Sequence, residues 1–120
     1  MSKIVQAVNA MISNKHLISN VAQGARELFF LYKSQYKWSM WRRDDGEYFL
    51  WYYPGKEDLS ELTTYGDDDW EETKVVIYKT EDIRTKEARA SFAELYGVLK
   101  ERLYGMDTVL DDIISEKNIL

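Results

Sequence analysis

The feature that most constrains this chain is a pair of aromatic-rich runs on either side of a short turn. Residues 36–43 and 47–53 flank Asp44-Asp45-Gly46 and concentrate Trp, Tyr and Phe side chains, which favour strands. Asp45-Gly46 suits a two-residue type I′ turn, because both of its central positions need a positive φ. The sequence therefore predicts a β-hairpin over residues 36–53.

A two-residue turn at Asp45-Gly46 fixes which residues of the hairpin share a face. Arg43 then lies opposite Tyr48, and Trp38 lies opposite Tyr53. Side chains alternate between the two faces of a strand. The more apolar face, which we expect to pack against helices, gathers Trp38, Met40, Phe49, Trp51 and Tyr53, with Arg42 near the turn. The other face gathers Ser39, Trp41, Arg43, Tyr48, Leu50 and Tyr52.

The second of these faces is a candidate binding surface. Tyr, Trp and Arg are the residue types enriched at binding hot spots. The candidate residues for partner or ligand binding on this face are Trp41, Arg43, Tyr48 and Tyr52. The alternative is that residues 56–66, or the flanks of a third strand, cover the face and make it a second small core.

The N-terminal third of the chain shows apolar residues at helical spacing. Residues 3–13 predict a helix with Ser2 as its N-cap, and residues 16–33 predict a second helix. The run at residues 28–32 is also compatible with a strand, because a short apolar run fits both periods.

The second half of the chain predicts one more strand and two more helices. Residues 56–66 contain one helical turn or only a loop, and residues 72–79 read as a strand. A helix over 85–103 is capped by Thr85 and stopped by Gly105. A last helix over about 108–116 has Asp107 as its N-cap and buries its apolar residues, which are Val109, Leu110, Ile113 and Ile114.

These elements predict an α+β fold formed by a single domain over residues 1–120. The expected core is a small antiparallel three-stranded sheet, made of the hairpin 36–53 and the strand at about 72–79. Two N-terminal and two C-terminal helices pack mainly on one side of it. The predicted element order is α-α-β-β-β-α-α.

The formal net charge of −5 is concentrated in one segment. Residues 57–82 contain Lys74 and Lys79 against ten acidic residues, and the acids are densest at Asp67, Asp68, Asp69, Trp70, Glu71 and Glu72. The run lacks the ligand spacing of an EF-hand loop, so a specific calcium site is disfavoured. It is either a solvated loop or a patch for a basic protein partner, with Trp70 as an aromatic anchor.

Composition excludes several kinds of chemistry. The chain has no Cys and one His, which removes thiolate catalysis, Cys-ligated metals and sites that need two histidines. No phosphate loop or nucleophile motif occurs, so we expect no enzyme activity and no cofactor.

The acidic balance disfavours nucleic acid as a partner. The absence of a signal-peptide pattern and of a long apolar run predicts a cytoplasmic protein without membrane contact.

In composition the chain resembles bacterial toxin-immunity and inhibitor proteins, although no motif carries the resemblance. We therefore expect a non-enzymatic protein-interaction module that binds a protein partner, with a basic protein as one candidate, through the acidic run and the aromatic sheet face. The alternative is a small-molecule-binding domain with an aromatic pocket between sheet and helices. Formation of a homo-oligomer through the apolar stripe of residues 88–103 is a further alternative.

Overall fold

The computed structural model describes residues 2–116, which form an antiparallel sheet with helices before and after it. Met1 and residues 117–120 of the predicted domain lie outside the described residues. In chain order the elements are α1 (Lys3–Ser13), β1 (Ile18–Gln23), β2 (Leu28–Tyr32), β3 (Tyr36–Arg42), β4 (Tyr48–Tyr52), α2 (Leu59–Leu62), β5 (Val76–Lys79), α3 (Thr80–Ile83), α4 (Lys86–Leu103) and α5 (Met106–Ser115).

The α+β class is confirmed, but the sheet has five strands and not three. Its strand order β1-β2-β3-β4-β5 follows the chain, with every neighbouring pair antiparallel. The predicted helix over 16–33 is wrong, because β1 and β2 occupy that stretch. All but one residue of β2 is buried, so the strand is apolar on both faces and its sequence lacks the alternation typical of a half-buried strand.

The predicted N-terminal starts of two helices are confirmed by capping hydrogen bonds. The Ser2 hydroxyl accepts from the Val5 amide at 3.4 Å at the start of α1. The Thr85 hydroxyl accepts from the Ala88 amide at 3.1 Å at the start of α4. The single helical turn around Leu59 and Leu62 is present as α2. Capping satisfies amide groups that have no partner within the helix, which is why these starts can be predicted locally.

Helices α1 and α4 pack together on one face of the sheet. The apolar side chains between them and the strands form the main core of the protein, which we call the first core. Its buried members are Val8, Met11, Ile18, Leu28, Phe30, Tyr32, Met40, Leu50, Phe92, Leu95 and Leu99.

The hairpin turn contains three residues, one more than predicted. The Gly46 amide donates to the Arg43 carbonyl at 3.0 Å, and the Arg43 amide donates to the Glu47 carbonyl at 2.8 Å. Gly46 has φ +90°, as expected for a type I turn followed by a left-handed residue. The Asp45 carboxylate supports this loop by accepting from the Glu47 amide at 3.1 Å and from the Arg43 guanidinium at 2.7 Å.

The extra loop residue shifts the pairing of the hairpin by one position. Met40 lies opposite Leu50 and Trp41 lies opposite Phe49. The predicted division into faces is therefore wrong, because a one-residue shift turns every side chain of one strand to the other side. The helix side holds Trp38, Met40, Arg42, Tyr48, Leu50 and Tyr52, and the opposite side holds Ser39, Trp41, Phe49 and Trp51, with Tyr53 following.

The C-terminal part differs from the prediction in three further ways. Strand β5 begins at Val76 and not at residue 72, because residues 67–70 form a 3₁₀ turn. Helix α5 begins at Met106 after Gly105, so Asp107 lies inside the first turn and is not the N-cap. No residue of α5 is buried, and the side chains predicted to be buried there are exposed.

The turn geometry predicts opposite effects for two Gly→Ala substitutions. Gly46→Ala places a side chain at positive φ and should lower the free energy of unfolding by about 1–2 kcal/mol. Gly97→Ala, inside α4 with nothing within 4 Å of the added carbon, should raise it by about 0.5–1 kcal/mol. Urea titration of both variants measures the difference. A stability of Gly46→Ala equal to that of the wild type would contradict the turn described here.

Candidate functional site

The sheet face opposite the helices is covered by the chain that follows β4. Tyr53, Leu59 and Leu62 are buried against Phe29 from β2, and this group forms a second core. Partly buried apolar side chains around it are Leu31, Trp51, Tyr65, Trp70 and Val75. This face is a second small core, covered by residues 56–66 and the flank of the last strand, but Tyr48, Leu50 and Tyr52 of the face expected from the sequence lie on the other side of the sheet.

Trp70 anchors the covering segment to the sheet. Its ring is stacked on Phe29 with 6.5 Å between ring centroids, and it meets Tyr53 at 5.8 Å and Tyr65 at 5.0 Å. Stacked and edge-on arrangements at these distances are favourable for aromatic pairs. Trp70 is therefore a packing residue of the second core and does not project as a free anchor for a partner.

The carboxylates around Trp70 remain at the surface. The acidic segment, residues 67–72, exposes Asp67, Asp68, Asp69, Glu71 and Glu72. None of the five forms an ion pair with another residue of the described stretch 2–116. Asp69 accepts from the Gly66 amide at 2.8 Å, which orders the 3₁₀ turn. The segment is thus a fixed acidic patch, held by Trp70 from below.

Trp41 and Arg43 lie at the edge of the second core and already have partners. The Trp41 ring is stacked on Phe49 with 4.8 Å between centroids. The Arg43 guanidinium forms ion pairs of 2.7 Å with both Asp45 and Glu81. The Arg43 guanidinium, followed by the Glu47 amide, lowers the pKa of Asp45 to about 2.

Tyr48 and Tyr52 face the helices, on the side of the sheet opposite Trp41. Tyr48 meets Tyr96 of α4 with 5.6 Å between ring centroids. Tyr52 packs against Trp38 at 4.8 Å. The residues predicted to form one binding face are therefore divided between two faces, and Tyr52 among them lines a concave surface.

That concave surface is a groove between α1 and the strands, which we call the α1 groove. Helices α1 and α4 leave this end of the sheet uncovered, and the groove encloses about 640 Å³. The walls of the groove are formed by α1 and the residues that follow it, by β2 and the turn after that strand, and by β3, β4 and β5. They consist of Ala7, Ala10, Met11, Asn14, Leu17, Tyr32, Lys33, Tyr36, Trp38, Tyr52, Val76 and Tyr78.

The lining of the α1 groove is apolar and aromatic. Among its described lining residues Lys33 is the only charged one, and none is acidic. Tyr36 and Val76 are each exposed by about two-fifths of their surface, which shows that the groove is open to solvent. The sequence signal for it is the alternation Tyr36, Trp38 and, across the hairpin, Tyr52, but only the three-residue turn puts Tyr52 on the same side as Trp38.

A second cavity of about 650 Å³ lies beside β1 and β2 near residues 56–60, and nine of its thirteen lining residues are polar or charged. Lys37 in this cavity is engaged within the chain, since its Nζ donates to the carbonyl oxygens of Gly55 and Glu57 at 2.6 and 2.5 Å.

Within residues 2–116 no cluster of three His, Asp or Glu side chains is placed to hold a metal ion. Over the same residues, no helix is both long and apolar enough to cross a membrane. The α1 groove is therefore the apolar candidate site.

Comparison of the chain with protein-family models, with curated proteins and with solved structures finds no match in any of the three.

The second core contains a buried hydroxyl pair whose removal gives a test of its packing. Ser39 Oγ and Tyr53 Oη lie 2.6 Å apart, both residues are almost inaccessible, and burial raises the pKa of Tyr53 above its ordinary range. Tyr53→Phe leaves the Ser39 hydroxyl without its partner and should cost about 1–3 kcal/mol of unfolding free energy. The double variant Tyr53→Phe/Ser39→Ala should lose less unfolding free energy than the sum of the losses of the two single variants, as measured by urea unfolding. Strict additivity would contradict the hydroxyl pair.

A second prediction concerns the pH dependence of stability at the hairpin turn. Hydrogen bonds from Thr80 and then Arg89 lower the pKa of Glu47. A lowered pKa in the folded state gives stability that is present above the ordinary glutamate range and is lost as the pH falls through the lowered value. Glu47→Gln should therefore reduce the urea midpoint at pH 7 and flatten its decline toward pH 3. The exposed control Glu94→Gln should retain the wild-type decline.

Proposed function

We propose that this protein is a non-enzymatic protein-interaction module whose main contact surface is the α1 groove. The observation that supports this most directly is an open, apolar groove of about 640 Å³ with Tyr and Trp side chains along it. These residue types supply large contact areas at little conformational cost and are enriched at hot spots. The groove is uncovered in the described chain, so a partner can bury it.

The shape of the groove favours a helix as the bound element. Ala7, Ala10, Met11 and Asn14 line one wall along two turns of α1, which corresponds to roughly 10 Å. The small side chains of Ala7 and Ala10 let a second helix approach α1 closely, since helix axes pack about 8–10 Å apart depending on the side chains between them. An amphipathic helix that places its apolar stripe in such a groove is a recurring mode of recognition.

The charge of the groove restricts further which kind of helix we expect to bind. The groove has no acidic lining residue and has Lys33 at its rim, and α1 itself contains Lys3 but no acidic residue. A helix whose apolar stripe is flanked by Asp or Glu therefore complements the groove better than one flanked by Lys or Arg. This differs from the basic partner that the acidic segment alone suggests.

The acidic segment is a second candidate surface, for a basic protein partner. The supporting observation is that its five exposed carboxylates have no ion-pair partner within residues 2–116 while Trp70 holds the segment in place. Such a patch steers a basic partner by long-range attraction, after which contact occludes the partner's surface. An immunity or inhibitor role is one form of this activity.

The groove also has the aromatic walls expected for a small apolar ligand. A small molecule would lie against Trp38 and Tyr52, whose rings pack on each other with 4.8 Å between centroids. The small-molecule alternative and the helix-binding proposal use the same lining residues. Substitutions in the groove therefore affect both, and only the identity of the bound ligand distinguishes them.

Two labelled peptides test the proposal directly. Both are about 15 residues long and share one Leu/Ile stripe, but one has Glu and the other Lys on its polar face. Fluorescence polarisation with the full chain should show tighter binding of the Glu peptide. Ala10→Glu, which puts a charge into the groove, should weaken it by about tenfold or more. The matched control Ala93→Glu, on the exposed surface of α4, should leave binding unchanged.

Three results would count against this proposal. Failure of both peptides to bind, equal effects of Ala10→Glu and Ala93→Glu, or tighter binding of the Lys peptide would each contradict it. Stabilisation of the wild type but not of Ala10→Glu by a small apolar compound, measured by thermal shift, would favour the small-molecule alternative instead.

A further inference from the structure

Helix α5 carries an apolar stripe that no described element covers. Val109 and Leu110 are each 44% exposed, and Ile113 and Ile114 are 54% and 59% exposed. The four side chains recur at helical spacing, so they lie together on one side of α5. Contiguous exposed apolar side chains of this kind mark contact surfaces in soluble proteins.

The other side of α5 is acidic. Asp107, Asp111 and Asp112 lie within Met106–Ser115, which contains no Lys or Arg. Helix α5 therefore combines an apolar stripe with acidic side chains, and this is the type of helix that the apolar lining and the charge of the α1 groove complement.

We propose that α5 of one copy of this chain binds in the α1 groove of a second copy, and that two copies exchange α5 reciprocally. This inference rests on the proposed function of the groove as a helix-binding surface. It commits to a second copy of the chain as the partner, and the contact is between α5 and the groove, not between two α5 helices.

The position of the start of α5 is compatible with such an exchange. The chain leaves α4 through Gly105, which has φ +64°, and a small cavity brings Gly105 and Met106 beside Lys15. Asn14, which precedes Lys15, and Leu17, two residues after it, line the α1 groove. The start of α5 and one end of the groove thus flank the same turn, so a twofold axis near this turn lets each α5 reach the other groove.

Charge and area argue against a simple pairing of two α5 helices. That pairing leaves the aspartates of α5 without a basic partner, whereas the groove offers Lys33 and no acidic lining residue. It would also bury only the two apolar stripes. Reciprocal exchange buries both stripes and both grooves, which is closer to the roughly 1,200–2,000 Å² that stable interfaces require.

The test measures molar mass and association of the full chain by light scattering coupled to size exclusion. The wild type should be a dimer at roughly 100 µM protomer. Leu110→Ser/Ile113→Ser removes the stripe from exposed positions, and Ala10→Glu blocks the groove. Each variant alone should have a dissociation constant raised by about tenfold or more. The control Ala93→Glu should remain dimeric.

A mixture of the two variants gives the most specific result. Ala10→Glu retains an intact α5, and Leu110→Ser/Ile113→Ser retains an intact groove. A single α5–groove contact is therefore possible between them, and the mixture should form a one-to-one complex although neither variant self-associates strongly. Mutual α5 pairing would instead leave Ala10→Glu dimeric, which would overturn the inference.

A monomeric wild type at this concentration would also overturn it, including a monomer whose α5 folds onto its own groove. The peptide assay above, repeated on Leu110→Ser/Ile113→Ser with its groove free, distinguishes the two proposals. Binding of the Glu peptide to a monomeric protein would leave the groove's function standing while this inference fails. No peptide binding and no dimer would remove both.

Discussion

The pairing of β3 with β4 is the constraint on which the rest of this structure depends. The pairing is set at one turn, where Asp45 accepts from Arg43 and from the Glu47 amide while Gly46 takes a positive φ. Because side chains alternate along a strand, this loop length decides the direction of every side chain of β4. It places Leu50 in the first core and leads Tyr53 into the second core.

A sheet with apolar side chains on both faces needs other parts of the chain to cover each face. In this protein, helices cover one face and an irregular segment covers the other. Helices α1 and α4 cover the first face except at the end where Trp38 and Tyr52 lie, and this gap is the α1 groove. The segment after β4 covers the second face, with Trp70 as its anchor. The groove and the acidic segment therefore follow from how each face is covered.

Local signals predicted the parts of the fold that depend on local chemistry. The caps at Ser2 and Thr85, the helices they begin and the existence of the hairpin are of this kind. Strand β1 is not predicted from the sequence, and β2 is predicted only as an alternative to a helix, because it is buried on both faces and has no alternation to show it. The groove could not be predicted either, since it depends on a pairing that one extra loop residue changes. The exposure of α5 was missed because an apolar helical stripe is the same in sequence whether it meets its own core or another molecule.

The measurement that tests the hairpin pairing most directly is the set of nuclear Overhauser effects between Hα protons of β3 and β4. Arg43 and Glu47 form a hydrogen-bonded pair, so alternation along the ladder makes Met40 and Leu50 a pair without backbone hydrogen bonds. Such pairs bring their Hα protons closest together. A strong Hα–Hα effect between Met40 and Leu50 is the predicted result. A strong effect between Trp41 and Leu50, the close pair expected if the turn had two residues, would contradict the account, because that pairing would turn Tyr52 away from the α1 groove.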